Sequence, residues 1–245
     1  MGKFYTILSV SLAAVWTLFT VLFVNVLVDE EERLVNEIAL SQARGMVQLM
    51  EDMRGWTARY GGVYVPVSEE NLPNPYLKHP KRDVQTTNGV KLTLVNSAYM
   101  IRQLSHISYL RSGVKTHIIS LAPMRPGNAA DDWEYEALHT FAAGKPYYSE
   151  MIDEPESGHQ FRYMEPLFME SACKGCHAAE ATGSFGRVRG GISFIIPVDE
   201  LVHGRARIQI MNRTIFIGLW IIGLFIISGL MVFLQNHYPV VKKSK

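Results

Sequence analysis

The stretch Asn88-Gly-Val-Lys-Leu-Thr-Leu-Val95, then Asn96-Ser-Ala-Tyr-Met-Ile-Arg102 and, past Gly113, Val114-Lys-Thr-His-Ile-Ile-Ser-Leu121, decides the fold class. Asn88-Gly89 is a turn signal, and Val90 to Val95 alternates as a strand does. Asn96 or Ser97 caps a helix predicted to reach about Arg111 and to end at Gly113. Val114 to Leu121 is a second strand. Working outward, Gly61-Gly62 stops a long helical pattern, and Val63 to Val67 is a short strand. Asn71 to Pro80 holds three prolines and is a loop. Asp131 with Glu134 forms an acidic capping pair for a helix that stops near Gly144. Phe161 to Met164 and Gly191 to Ile196 are the last strand candidates. Helices outside a small antiparallel sheet make an α+β domain.

The flanks are different. Of 245 residues 48% are apolar and only 19% charged, below the quarter or so usual in globular chains. The deficit lies in two charge-free stretches, Phe4 to Val28 and Thr214 to Gln235, each long enough to span a bilayer as a helix. The 14 Leu, Ile, Phe and Val residues of the second contribute about −4 to −8 kcal/mol to insertion. The first exits through Asn25-Val-Leu-Val-Asp29, which has no small-residue cleavage site, so an uncleaved anchor is expected over a signal peptide. The expected division is an anchor at 1–28, an outer domain at 29–213 with a helical stalk at 29–60, a second membrane helix at 214–235 and a tail at 236–245. Lys3, Lys242, Lys243 and Lys245 flank the apolar stretches on one side and Asp29 to Glu32 leads away on the other. Positive-inside logic puts both termini in the cytoplasm of a bacterial cell and the domain in the periplasm, with Arg205, Arg207 and Arg213 against the rule. All 23 acidic residues lie in the outer domain with 20 of the 24 basic ones, which excludes a nucleic-acid surface as its main business.

One motif carries strong chemistry. Cys173-Lys-Gly-Cys176-His177 uses both cysteines of the chain and has the Cys-x-x-Cys-His spacing of covalent haem c attachment. Two thiols three residues apart reach the two vinyl groups on one side of a porphyrin, and the next residue offers an imidazole to the iron. Zinc usually takes four ligands where three are grouped, and a thioredoxin-like pair needs a βαβ setting that this stretch lacks. One covalent haem is the expectation. Such attachment takes place outside the cytoplasmic membrane, in accord with the expected topology.

Several further segments carry a resemblance. They are Trp56-Thr-Ala-Arg-Tyr-Gly-Gly-Val-Tyr-Val-Pro66, Asn74-Pro-Tyr-Leu77, Leu92 to Arg102, Arg125-Pro126 with Asn128, Trp133-Glu134, Arg162-Tyr-Met-Glu-Pro-Leu167, the Cys173 motif and Arg189-Gly-Gly-Ile-Ser193. Together they resemble the c-type haem-binding, PAS-like sensor family of bacterial membrane-anchored histidine kinases and chemoreceptors. The resemblance covers roughly residues 53 to 197. It implies a PAS-like antiparallel sheet with flanking helices and one haem. Thr57 and Ser97 stand where relatives often have Asn and Pro. Some relatives also use a cysteine as second axial ligand, supplied by the long N-terminal helix. This chain has no third cysteine, so its distal chemistry differs.

That helix offers Met46, Met50 and Met53 on one face, either as a core stripe or with one of them as distal ligand beside His177. The other options are His117, on a strand between apolar neighbours, and an open site. His79, His106, His139 and His159 read as ordinary polar residues. Arg59, Arg102, Arg125, Arg162 and Arg189 are candidates for the haem propionates, because two carboxylates are costly to bury unpaired. No nucleophile with a paired base, phosphate-binding glycine loop or carboxylate dyad is evident, so no enzyme is expected. Two functions fit: a membrane-tethered monohaem cytochrome in electron transfer or as a redox subunit of a membrane complex, and a redox or gas sensor. Ten residues follow Gln235, so a sensor would need a separate transmitter. The expected partners are a membrane protein and the lipid bilayer, with a second copy of the chain as a further candidate.

Overall fold

The structure is a computed structural model that describes residues 2–121, 123–168 and 188–237. Its elements are α1 (Gly2–Arg59), β1 (Val63–Pro66), β2 (Asp83–Gln85), β3 (Lys91–Val95), α2 (Ser97–Ser112), β4 (Lys115–Ser120), α3 (Asp132–Ala142), β5 (Tyr148–Glu154), β6 (Gly158–Phe168), β7 (Val188–Pro197) and α4 (Asp199–His237), with a single 3-10 turn at Pro126–Asn128. The chain forms two compact units. One holds Met1–Glu37 and Glu200–Lys245, the other Ile38–Asp199.

In the second unit the strands make two antiparallel sheets, in the orders β1-β3-β2 and β4-β7-β6-β5. One sheet was expected. The difference is that β1 and β3 pair with each other and not with β4, β6 or β7. The strands β2 and β5, which pair with β3 and β6, are ones that the sequence reading leaves as loop. Neither has an apolar alternation, since each is an edge strand with at most half-buried residues. Strand β6 also runs past Met164 to Phe168, through Pro166. The β5 ladder ends at Met164, so Pro166 has a strand neighbour only in β7, and a residue without an N–H is tolerated there.

Capping follows the side-chain chemistry. Asn96 accepts the Tyr99 N–H at the start of α2. Asp131 and Glu134 exchange both bonds of a capping box at the start of α3, worth about 0.5–2 kcal/mol. Helix α1 ends where Gly62 takes a φ of 114°, a conformation open to glycine. Helix α3 buries Glu134, Ala137, Leu138 and Phe141, the i, i+3, i+4, i+7 stripe of a half-buried helix. Ala137, Leu138 and Phe141 pack with Ile119 and Met164 into the core over the four-stranded sheet. Strand β7 lies between β4 and β6 so closely that a Cβ on Gly190 would stand 1.9 Å from the Ile119 carbonyl oxygen.

The first unit joins the N-terminal part of α1 to α4. These are the two helices long and apolar enough to cross a membrane. Side-chain hydrogen bonds link the two helices. The Trp16 indole donates to the Trp220 carbonyl at 3.1 Å, and the Trp220 indole donates to the Thr17 hydroxyl at 3.0 Å. Gly223 makes room for the Trp16 ring. Farther along, Asn212 donates to Glu31 at 2.7 Å and Arg205 approaches Glu32 at 3.8 Å.

Candidate cofactor pocket

A cavity of about 800 Å³ opens in the second unit, within the range of roughly 300–1,000 Å³ that small-molecule and cofactor sites occupy. One face of α1, the loop 74–79, helix α2, strand β4, the segment 123–128 and the ends of β6 and β7 enclose it. Leu94, Ile101, Ile119 and Leu167 give it apolar walls, and its charged lining residues are Arg54, Lys78, Arg102, Arg125 and Arg189 with the acids Glu51 and Asp52, Arg54 being one that the sequence reading does not single out.

The five sequence-predicted arginines are thereby sorted. Arg162 lies outside the cavity and serves the fold. Its guanidinium donates to Asp131 at 2.7 Å, stands 3.9 Å from Glu150 and covers the Trp133 ring at 4.3 Å. Arg59, in the last turn of α1, is exposed and is not a cavity residue either. Arg102 and Arg125 are half-buried at the cavity, and among the described residues neither meets a carboxylate. Arg102 rests on the Tyr99 ring at 4.3 Å, and its pKa is lowered by burial first and by the Arg125 charge second. Arg125 curls back over its own turn, with its guanidinium against Gly127 and Nη1 donating to Asn128 at 3.0 Å. Two neighbouring cations held partly out of water are a ready receptor for a pair of carboxylates.

His117 is also in the cavity wall, but its ring is fully engaged. Nδ1 lies 3.0 Å from Glu134 Oε1 and 3.1 Å from Oε2, and Nε2 lies 2.9 Å from the Gly127 carbonyl oxygen. Both neighbours are acceptors, so the arrangement needs the doubly protonated ring. The hydrogen bond to Glu134 is the main cause that raises its pKa, against burial. Glu134, only 3% exposed, accepts in addition from the Ser193 hydroxyl at 2.5 Å and the Asp131 N–H at 3.0 Å. Nothing is left on this ring for a metal, which removes His117 as a distal-ligand option. His79, the other lining histidine, accepts the Lys81 N–H on Nδ1 at 3.2 Å.

Helix α1 turns Gln48, Glu51, Asp52, Gly55 and Ala58 toward the cavity. Met46, Met50 and Met53 belong to a different face. Met50 is buried with Ala39, Ala43, Val47 and Thr57 in the stripe that packs the domain, while Met46 and Met53 are half-buried, and none of the three lines the cavity. Helical spacing gives which residues share a face, but not what that face meets. Cys173, Cys176 and His177 lie outside the described residues. The segment that carries them is nevertheless bounded. Phe168 and Val188, on either side of it, are register partners in adjacent strands, and Phe168, Arg189 and Gly190 line the cavity.

Fold and cavity define an α+β domain with a cofactor-sized pocket, in a chain that also carries two membrane-length helices. The sequence model of the Tll0287-like family matches residues 31–197. The chain therefore belongs to the Tll0287-like family, whose match begins some twenty residues before the resemblance read from the sequence and takes in most of the stalk. The crystal structure of the cyanobacterial haem protein Tll0287 is similar over 64% of this chain and 94% of its own, with a TM-score of 0.42 and 13% identity. No curated protein matches.

Proposed function

We propose that this protein is a membrane-anchored c-type haem protein, with one haem bound covalently through Cys173 and Cys176 and ligated by His177, and that it transfers electrons to or from a membrane partner. The observation that carries the reading is that the strand ends flanking the motif in sequence, Phe168 on one side and Arg189 with Gly190 on the other, line the cavity. Cys173 is five residues from Phe168 at the cavity rim, a reach of at most about 18 Å. The cavity fits the group in kind, with apolar walls for a macrocycle and Arg102 with Arg125 for two carboxylates. A bound haem would supply a one-electron couple. The residues of the chain would orient it, exclude water from it and set its electrostatic surroundings. Family membership and a relative described as a haem protein support the same reading.

Helices α1 and α4 would hold the domain at the bacterial inner membrane, on the periplasmic side. A sensing role is the second reading. It is favoured by the fact that α1 carries both an apolar membrane-length segment and cavity-lining residues, so that one helix bears both a potential signal input and an anchor. PAS-like sensing and a separate transmitter belong to that alternative.

The test is the double variant Cys173→Ala/Cys176→Ala in the full chain. Haem that survives denaturing electrophoresis in the wild type is expected to be absent from the variant, and its persistence there would refute covalent attachment. Carbon monoxide then separates the two roles: a carrier with both axial positions filled excludes it, and a gas sensor takes it up.

A further inference from the structure

From Val84 to Ala130 the chain carries five Lys and Arg and not one of its 23 acids. The fold gathers part of that run on one surface. Helix α2 has no acid in its first turn and ends on Arg111, and strand β4 opens on Lys115. On the outer face of α2, Ile107 and Tyr109 are each 49% exposed and Leu110 is 70% exposed. His106, Arg111 and Lys115 are exposed around them. Among the described residues no ion pair involves Arg111 or Lys115, and Lys115 rests instead over the Tyr109 ring at 5.5 Å.

This surface adjoins the cofactor cavity. Arg102 and Ser105 line both the cavity and a shallow depression that His106, Tyr109 and Lys115 complete. Lys115 is the register partner of Ile195, and Ile195 is seven residues along β7 from Val188, about 23 Å of strand. The cationic surface is therefore at the other end of β7 from the residue that follows the attachment segment. An apolar centre with a charged rim is the composition of a protein docking surface. Cations gathered without acids repel one another, and an anionic surface relieves that repulsion.

We infer that the outer face of α2, with Lys115, docks the acidic surface of a protein redox partner, an inference that rests on the reading of this chain as an electron carrier. Carboxylates of the partner meet Arg111 and Lys115, and its apolar residues cover Ile107, Tyr109 and Leu110. Arg102 stays with the cavity and marks the side on which the partner arrives. Charge speeds and orients the encounter, while the apolar contact sets its lifetime. A bilayer of anionic lipid would match the same charges, but it has no reason to lie beside a cofactor pocket. The step is association alone, with no bond made or broken.

The experiment uses the full-length protein in a neutral detergent, with covalent haem verified first by its alkaline pyridine spectrum. An acidic flavodoxin is the probe and a basic cytochrome c the counter-probe. Flavodoxin binding is expected to weaken as salt is raised. At low salt it should weaken about fivefold or more in Lys115→Glu and in Arg111→Glu, with the gap closing at high salt. Lys145→Glu, an exposed change of equal charge between α3 and β5, should bind as the wild type does. Leu110→Ser should bind more weakly by the same factor at every salt concentration. Hydrogen exchange should show α2 protected by the flavodoxin and not by the cytochrome. No binding by a haem-loaded wild type, equal losses at Lys145 and Lys115, or binding without protection of α2 overturns the docking face and leaves the haem reading intact. Protection of α2 in phosphatidylglycerol nanodiscs and not in phosphatidylcholine ones, with no flavodoxin added, assigns the face to the bilayer and overturns it as well. A wild type without covalent haem overturns the haem reading, and the redox role of this surface with it.

Discussion

His117 on β4 and Glu134 on α3 face each other with Nδ1 3.0 Å from Oε1, and the carboxylate they share with Ser193 and the Asp131 N–H is almost wholly buried. The contact couples a strand at the cavity to the first turn of the helix that covers the sheet. Because the pKa of His117 is raised above its ordinary 6.5, its contribution to stability is fully present below about pH 6.5 and is lost as the pH climbs through the folded value. Thermal melts from pH 5 to 9 are expected to show the wild type ahead of His117→Gln at the acid end, with the gap closing upward. A gap of constant size across that range would refute a charged His117. Glu134→Gln, which weakens several charge-assisted bonds at once, is expected to cost about 1.5–3 kcal/mol.

Arginines inside and outside the cavity separate by readout. Removing a cation beside a haem favours the ferric state, so Arg102→Gln and Arg125→Gln should each lower the midpoint potential. Arg162→Gln should leave the potential alone and cost about 0.2–1 kcal/mol in urea unfolding, through its solvent-screened bond to Asp131. A potential that moves with Arg162 and stays put with the cavity pair would reverse the assignment.

Two glycines are expected to respond with opposite sign. Gly190→Ala drives a methyl group into the Ile119 carbonyl, a backbone group that cannot turn aside, and should cost about 3 kcal/mol or more. Gly45, exposed in α1 with open space around it, should give about 0.5–1 kcal/mol of added stability as alanine. Chemical denaturation of both variants checks the pair, and equal effects would contradict the packing of β7.

In the apolar unit, the Trp16 bond to the Trp220 carbonyl, the Trp220 bond to the Thr17 hydroxyl and the Gly223 contact define a helix pair. Trp220→Phe is expected to lose about 0.6 kcal/mol, the average for a hydrogen bond in a lipid setting. Gly223→Val, which meets the Trp16 ring at 2.3 Å already from its Cβ, should lose more. Melting in detergent reads both. A reporter fused after Lys245 is expected to be active only in its cytoplasmic form, and activity of a periplasmic reporter there would overturn the two-span topology.

Much of this architecture was legible in the residues. Asn96, Asp131 with Glu134, and Gly61-Gly62 announced the helix ends, because caps are local chemistry. The helical stalk after Asp29 runs on from the first apolar stretch within α1, as its pattern suggested. The short β2 and the polar β5 were illegible, since an edge strand owes its place to a partner and not to its own pattern. The cavity was hidden for a similar reason. Arg102 and Arg162 look alike in sequence, and only the fold gives one an acid and the other a second cation. Met46, Met50 and Met53 share a helix face by their spacing, and of the three only Met50 is buried in the core.

Pro166 has a consequence beyond its own strand. Past Met164, β6 has β7 on one side and, among the described strands, none on the other. An open sheet margin of that kind is a template on which a foreign strand, or another copy of the same chain, can add and begin to aggregate. A proline in that margin withholds one N–H from any such strand and breaks the run on which addition depends. Where copies of this domain meet at that margin, a ring closed onto its own nitrogen stands in the way of a continuous ladder.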